Sequence, residues 1–421
     1  MSLLFHNKKY FLLFFILIFP LLFLSDKCSA DLNDLIKYED KHENKQITRL
    51  ASNKSGEKEE EPIDISKELT IPEDLDYQLF LGLCCGKCGG NMPLNIPGAG
   101  TPEPHELRVK ASLSWGKMVG LRRGTSNRST SDAHGQYMKA PRRMNMYMSN
   151  LSIGYAFSDR FFAGIMGMYM NKDMEMIRRG NGVRSSMYSQ GIADTMLMTK
   201  TLLYADDFLA PTSQVSLLLG VSIPTGSIDQ DEKGALLPYS MQLGSGTFDP
   251  LIGILYEGSR TPLWWGANIS YLARTYENYK SYNLGDEFRF DLYGMFQVRY
   301  DLVGELQIKG KYVGDIEGEA QEIEQDGDGH VMSNPNNPFM SNLFDPDNYG
   351  GSTVDLTAGV QWQPFHNHIL NVQFSFPLFQ NLHGTQLERD FNATITYYLE
   401  FPLSKSRRSK KKDKGLDILG F

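Results

Sequence analysis

The sequence has little of three things that would place most chains at once. Only one stretch of its 421 residues is continuously apolar, Phe11–Leu24. A bundle of membrane helices needs several such runs of about 20 residues, so that class is excluded. Cysteine is scarce, four residues in all, and after Cys28 the other three crowd into Cys84-Cys85-Gly86-Lys87-Cys88. An odd, tight cluster is no disulfide framework for a chain of this size; it offers one disulfide with a spare thiol, or a soft-metal site. Positive charge is short as well: 42 Lys and Arg against 50 Asp and Glu leave a net charge of −8. No basic field therefore invites nucleic acid.

What is there points to β structure and to export. Aromatic residues make up 12% of the chain (21 Tyr and 24 Phe among them), alongside 39 Gly. Lys8 and Lys9, the apolar run and Cys28-Ser29-Ala30 before Asp31 read as a secretion signal over residues 1–30. Pro20 interrupts the run as a membrane anchor, and Ser25-Asp26-Lys27 before Cys28 lacks the small residues of a lipidation site. Cleavage removes three Lys and one Asp, so the mature charge falls from −8 to −10. Residues 31–79 carry 14 acidic and 7 basic residues and almost no aromatics, too little apolar surface to offset chain entropy, which predicts a disordered periplasmic tail. A Cys-, Gly- and Pro-rich linker is expected over 80–104. The end, 402–421, holds Lys405, Arg407, Arg408, Lys410, Lys411, Lys412 and Lys414, a solvated basic tail suited to a membrane surface.

Between these tails, residues 105–401 alternate with period two. From Glu287 to Tyr300 the odd positions are Glu287, Arg289, Asp291, Tyr293, Met295, Gln297 and Arg299, while every even position from Phe288 to Tyr300 is apolar or Gly. Glu305 and Lys309 oppose Leu306 and Ile308 in the same way, and Glu106, Arg108 and Lys110 oppose Leu107, Val109 and Ala111. Such a strand is longer than the about 5–6 residues usual in a soluble sheet. Twelve strands can be read, near 106–116, 143–156, 160–171, 193–204, 213–223, 247–257, 262–275, 286–300, 303–313, 353–363, 368–376 and 391–401. The connections between them alternate long and short. That parity, the secretion signal and aromatic strand ends such as Trp115, Trp362, Tyr397 and Phe401 predict an all-β fold: a transmembrane, antiparallel, up-and-down barrel of about 12 strands in the outer membrane of a diderm bacterium, both termini periplasmic. Outer-membrane lipid, the barrel-insertion machinery and a small-molecule solute are the partners this implies.

Three stretches carry a family resemblance: Ala140-Pro-Arg-Arg-Met-Asn-Met146, Ser222-Ile-Pro-Thr-Gly-Ser-Ile-Asp229, and Pro238-Tyr-Ser-Met-Gln-Leu-Gly-Ser-Gly-Thr-Phe-Asp249. In them, and over roughly residues 105–401, the chain resembles the outer-membrane transporters grouped with the meta-pathway phenol-degradation proteins. The resemblance implies a barrel that passes small, often hydrophobic compounds, and no catalytic residues. Where relatives carry a His- and Met-rich stretch before the first strand, this chain has the Cys cluster and His105.

Methionine is the distinctive chemistry: twelve of the nineteen lie between Met138 and Met198. Met144, Met146 and Met148 share a face with Asn150 and Ser152, and Met196 and Met198 with Asp194 and Lys200, so these thioethers should point into the lumen. Met166, Met168 and Met170 also share one face, whose direction the pattern leaves open. Two readings compete for the stripe: an adaptable lining for a hydrophobic or aromatic solute, or a ladder of soft ligands for Cu(I), with Cys84, Cys85 and Cys88 at the mouth. Arg289, Asp291, Arg299, Glu305 and Lys309 are expected to line the same lumen and to pair across strands, and loop 314–352 is long enough to fold inward. A structural or surface barrel with a plugged lumen is the further alternative. Asp326-Gly-Asp328-Gly-His330 lacks the sixth-position Gly and closing Glu of a calcium loop, so an acidic surface loop is expected there. No Gly-x-Ser-x-Gly occurs and His383 has no serine beside it, so a lipase-like enzyme is the third-ranked reading and no activity is expected.

Overall fold

Alternation gives each strand one apolar and one polar face, and a closed ring houses both without leaving an unpaired edge. The computed structural model shows that ring. It describes residues 92–99, 103–207, 211–232, 234–299, 301–320, 339–365 and 367–406, all within one compact unit, residues 77–421. The secretion signal, the acidic tail, the Cys84–Cys88 cluster, the Asp326–His330 segment and most of the basic tail lie outside the described residues.

The ring is built from eleven extended segments. They are β1 (Glu106–Gly124), β2 (Lys139–Ala156), β3 (Phe161–Arg178), β4 (Thr195–Ala205), β5 (Ser213–Ile223) and β6 (Asp249–Arg260). Then come β7 (Leu263–Leu272), β8 (Glu287–Arg299), β9 (Leu302–Val313), β10 (Gly351–Phe365) and β11 (His368–Pro402). Each pairs antiparallel with its chain neighbours, and β11 closes on β1. β11 is 35 residues long and turns back at Gly384, where φ is +59°. Residues 368–382 pair with β10 and residues 382–402 with β1, so β11 fills two places and the ring has twelve passes.

Outward positions form an apolar belt: Leu113, Leu151, Ile165, Ile254, Ile269, Leu292, Leu306 and Ile395 are all exposed. In water this belt would be a large aggregation surface, whereas in a bilayer it is the lipid contact. Aromatic side chains flank it. Trp115 stacks on Tyr147 with ring centroids 6.3 Å apart, and Trp362 donates its indole N–H to Asp301 in a tight turn. Among the described residues no helix is long and apolar enough to cross a membrane.

The strands outrun their expected lengths at the long-loop rim. The segment expected as a loop over 172–192 is mostly ladder: β3 continues to Arg178, and a further strand, Arg184–Ile192, returns along it from Ile177↔Arg184 to Tyr169↔Ile192. The expected loop 377–390 is likewise strand on both sides of Gly384. Beyond the bilayer both faces meet water, so a strand there no longer shows the alternation by which it was recognised. One short helix, α1 (Thr130–His134), starts at a Ser129/Asp132 capping box in the loop after β1.

Candidate functional site

The residues expected as a linker before β1 are not all outside the barrel. Residues 92–99 (Met-Pro-Leu-Asn-Ile-Pro-Gly-Ala) cross its interior near the tight-turn rim as two successive turns, Ile96 N–H donating to Pro93 O and Ala99 N–H to Ile96 O, both at 3.1 Å. Met92, Leu94 and Ile96 are buried against Leu218, Leu255, Trp264, Tyr293, Val303 and Tyr398, which all point inward. Four wall side chains hold the backbone and Asn95. Lys110 Nζ donates to Leu94 O at 2.8 Å, Gln361 to Met92 O at 3.0 Å and Gln373 to Asn95 Oδ1 at 3.0 Å. Arg108, lying over the Phe162 ring at 4.3 Å, donates to Ala99 O.

Beneath this plug sits Glu305, whose buried carboxylate accepts from Asn371 (2.9 Å), Gln361 (3.0 Å) and Gln373 (2.6 Å). Each Gln thus spends one N–H on Glu305 and aims another contact at the plug. Burying Met92, Leu94 and Ile96 gains roughly 5–9 kcal/mol, and the four hydrogen bonds add about 4 kcal/mol. Ordering the backbone of residues 92–99 costs roughly 8–16 kcal/mol. The terms nearly cancel, so the plug is held with little to spare.

At the opposite rim, loops pack against the wall. Met241 and Leu237 from the β5–β6 loop and Leu343 from the β9–β10 loop pack with Met144, Met174, Met176, Leu121 and Leu387 of the wall. Lys172 Nζ donates to Ser240 O (3.0 Å) and Gln242 O (2.5 Å), and the Ser189 hydroxyl to Met241 O (2.7 Å). Two glycine motifs make the clasp of this loop. Asp194 accepts from Gly226 N–H (3.0 Å) and from Ser245 N–H (2.7 Å) and Oγ (2.9 Å), while Gly226 and Gly244 meet backbone to backbone. A Cβ on Gly244 would lie 2.5 Å from Asp194 Oδ1, which explains why Pro-Thr-Gly-Ser and Gly-Ser-Gly occur together.

Between these two packed layers, the expected methionines come together on one wall. Met146 and Met148 of β2, Met166, Met168 and Met170 of β3, and Met196 and Met198 of β4 all face inward and remain half-buried; Met144, nearer the loops, is buried. The open direction of the β3 set is decided by Phe162 and Met174, inward and buried at either end of the same face. Register places Met148 opposite Met170 and Met166 opposite Met196. In a ring of twelve passes the diametrically opposite wall is six places on, so β2, β3 and β4 face β8, β9 and β10.

That facing wall is charged. Arg289, Asp291, Glu305 and Lys309 point inward and pair locally. Glu287 binds Lys311 (2.9 Å), Arg274 (3.2 Å) and Arg289; Asn268 donates to Asp291 (3.0 Å); Lys309 donates to Ser375 Oγ (3.1 Å). Arg389 of β11 reaches Asp355 at 2.6 Å. Although they point inward, the Arg289 and Lys311 side chains keep 42% and 39% of their surface, which requires open space beside them. Arg299 is the exception among the expected lumenal charges. A register shift between Gln297 and Arg299 breaks the alternation, and the side chain lies exposed at the tight-turn rim against Asp301 at 2.5 Å.

Other expected features are modest. His105 shares a 3.0 Å hydrogen bond with Tyr155 OH, and His383 bonds Asp315 at 2.5 Å in the loop rim. Among the described residues no group of His, Cys, Asp and Glu is arranged to hold a metal ion. The plug and the Asp194 clasp were not foreseen; the only sequence signals were the apolar residues spaced by Pro93 and Pro97, and the paired glycine motifs.

No protein-family model matches the sequence, and no curated protein matches it. Solved structures give distant likenesses. An outer membrane channel from Pseudomonas putida F1 is 10% identical, with a TM-score of 0.49 over 73% of this chain and 100% of that one. The P. putida toluene transporter TodX is 9% identical, with a TM-score of 0.37 over 71% and 91%. The monoaromatic hydrocarbon channel CymD is 7% identical, with a TM-score of 0.34 over 71% and 90%.

Proposed function

We propose that this barrel sits in the outer membrane of a diderm bacterium and passes small amphipathic solutes, with an apolar or aromatic body and a polar or charged end. The observation that carries the reading is the lumen between two packed layers: half-buried methionines on one wall, and partly exposed Arg289 and Lys311 on the wall across from it. Thioethers are polarizable and adaptable, so they accommodate varied ring and chain shapes. The charged wall supplies hydrogen bonds for the other end of the solute.

Glu106 and Pro402 are paired in the ladder, so both ends of the barrel chain lie at the tight-turn rim, which we assign to the periplasm. The chain reaches its membrane through the barrel-insertion machinery, and it does so without a catalytic role. Passage requires the plug to yield, and its near-balanced energetics allow that. The packed residues at both ends also favour a second reading, a structural barrel with a permanently filled lumen.

Liposome swelling with the full chain separates the two. Entry of an aromatic carboxylate faster than a sugar of similar size supports transport. No entry of either, with the Glu305→Ala variant equally silent, leaves the structural barrel.

A further inference from the structure

The chain is acidic overall, yet one sector of its long-loop rim is densely cationic on the outward face. Glu175 of β3 is the hub. Its outward position follows from Tyr169, exposed at the same parity of the strand, and Arg142 Nη1 (2.8 Å), Arg143 Nε (2.8 Å) and Arg184 Nε (3.6 Å) converge on it. These three arginines keep 45%, 55% and 61% of their side-chain surface, so one carboxylate orients three guanidinium groups and leaves most of their donors facing outward. The tip that joins β3 to the Arg184–Ile192 strand adds Arg178 and Arg179, both exposed, on a turn made by Gly180 (φ +88°) and Gly182 (φ +64°). Asp173 adds an exposed carboxylate, giving five arginines against two carboxylates among the described residues of the sector.

The placement of this patch matters as much as its charge. Directly below it on the same outward surface lie Tyr188, Tyr169, Tyr147 and Trp115, all exposed, and Asn171 donates to Tyr188 OH at 2.7 Å. Aromatic side chains of this kind mark the membrane–water interface. Arg184 is four residues beyond Tyr188 on its strand, a rise of roughly 13 Å at about 3.3 Å per residue and less along the normal of a tilted barrel. The arginines therefore stand at the depth of headgroup phosphates, not in bulk water. Guanidinium forks match phosphate oxygens two at a time, which a tyrosine belt alone cannot do.

We propose that this sector is a docking site for the phosphate groups of lipopolysaccharide in the outer leaflet. It rests on the membrane reading above, with the long-loop rim facing the cell exterior. That premise is checked separately: Asn181→Cys, at the tip between the arginines, should react with an impermeant maleimide on intact cells.

The docking test uses the full chain in detergent, with fluorescent lipopolysaccharide as probe and heat-modifiable gel mobility to confirm folding. Arg178, Arg179 and Arg184 all changed to Ser should weaken binding at least tenfold, while Arg260→Ser, an exposed change at the other rim, should leave it unaltered. Enzymatically dephosphorylated lipopolysaccharide should bind the natural chain as weakly as intact lipopolysaccharide binds the triple variant. Unchanged binding by the triple variant overturns the proposal. So does equal affinity for phosphatidylglycerol micelles, which would make the sector a general anionic surface.

Discussion

At the residue scale, the interior is governed by a few polar atoms that cannot be left alone. Glu305 serves three amides, two of which also grip the plug. Glu305→Ala strands buried amides at roughly 1–3 kcal/mol each. We expect a plug that releases more often, read as higher conductance in a planar bilayer and faster proteolysis ahead of Glu106. Gly244 is a steric requirement of another kind, because its Cβ would strike Asp194 and the Gly226 backbone. Gly244→Ala should cost about 1–3 kcal/mol locally and make the β5–β6 loop protease-sensitive while the barrel itself stays folded. Asp206, in the turn after β4, accepts first from the Thr212 hydroxyl and then from backbone N–H groups, which holds its carboxyl down to about 2 from 3.8. A depressed pKa means the stabilisation is complete above 3.8 and vanishes as pH falls through about 2. Hydrogen-exchange protection factors at Thr212 and Ser213, corrected for the intrinsic pH dependence of amide exchange, should be unchanged from pH 7 to 5 and fall only near that lower value.

At the element scale, β2, β3 and β4 form a wall whose character comes from side-chain type and not from ladder geometry. Replacing Met148, Met168 and Met170 by Ser keeps the register, since these positions pair across backbone groups that the side chains do not touch. We expect the folded barrel to be retained and aromatic solute flux in liposomes to fall severalfold, with sugar flux level or higher. Equal loss for both solutes would mean the wall supports the fold and does not select. The direction of the β2 and β4 methionines was legible from polar neighbours such as Asn150 and Lys200, whereas Phe162 made β3 ambiguous. Phe162 is apolar because its ring lies over Gly154 and beneath Arg108 at the plug layer, a contact between second-neighbour strands of the wall.

At the scale of the whole molecule, closure is the decisive event. The β1–β11 pairing runs from Glu106↔Pro402 to Gly124↔Leu382 and is the longest-range strand pairing among the described residues. Removing residues 385–402 leaves β1 with an unpaired edge inside the bilayer, where each orphaned group costs several kcal/mol. The truncated chain should aggregate and lose the heat-modifiable mobility of a folded barrel on gels. Charge also reads differently at this scale: a chain of net −8 concentrates Arg142, Arg143, Arg178, Arg179 and Arg184 in one sector.

Alternation of polar and apolar residues by itself determined that this chain forms a membrane-facing barrel, the outward face of most strands though not of β3, and nearly every strand, because that pattern is a local response to having lipid on one side. The extended ends of β3 and β11 escaped it, since strands wetted on both faces need no alternation. Only the tertiary structure decided what fills the lumen. The plug at Met92–Ala99, the Gly226–Gly244 clasp on Asp194, and the charged wall facing the methionines all join residues distant in the chain. Their partners are chosen by the circumference of the ring, a quantity no local stretch of sequence contains.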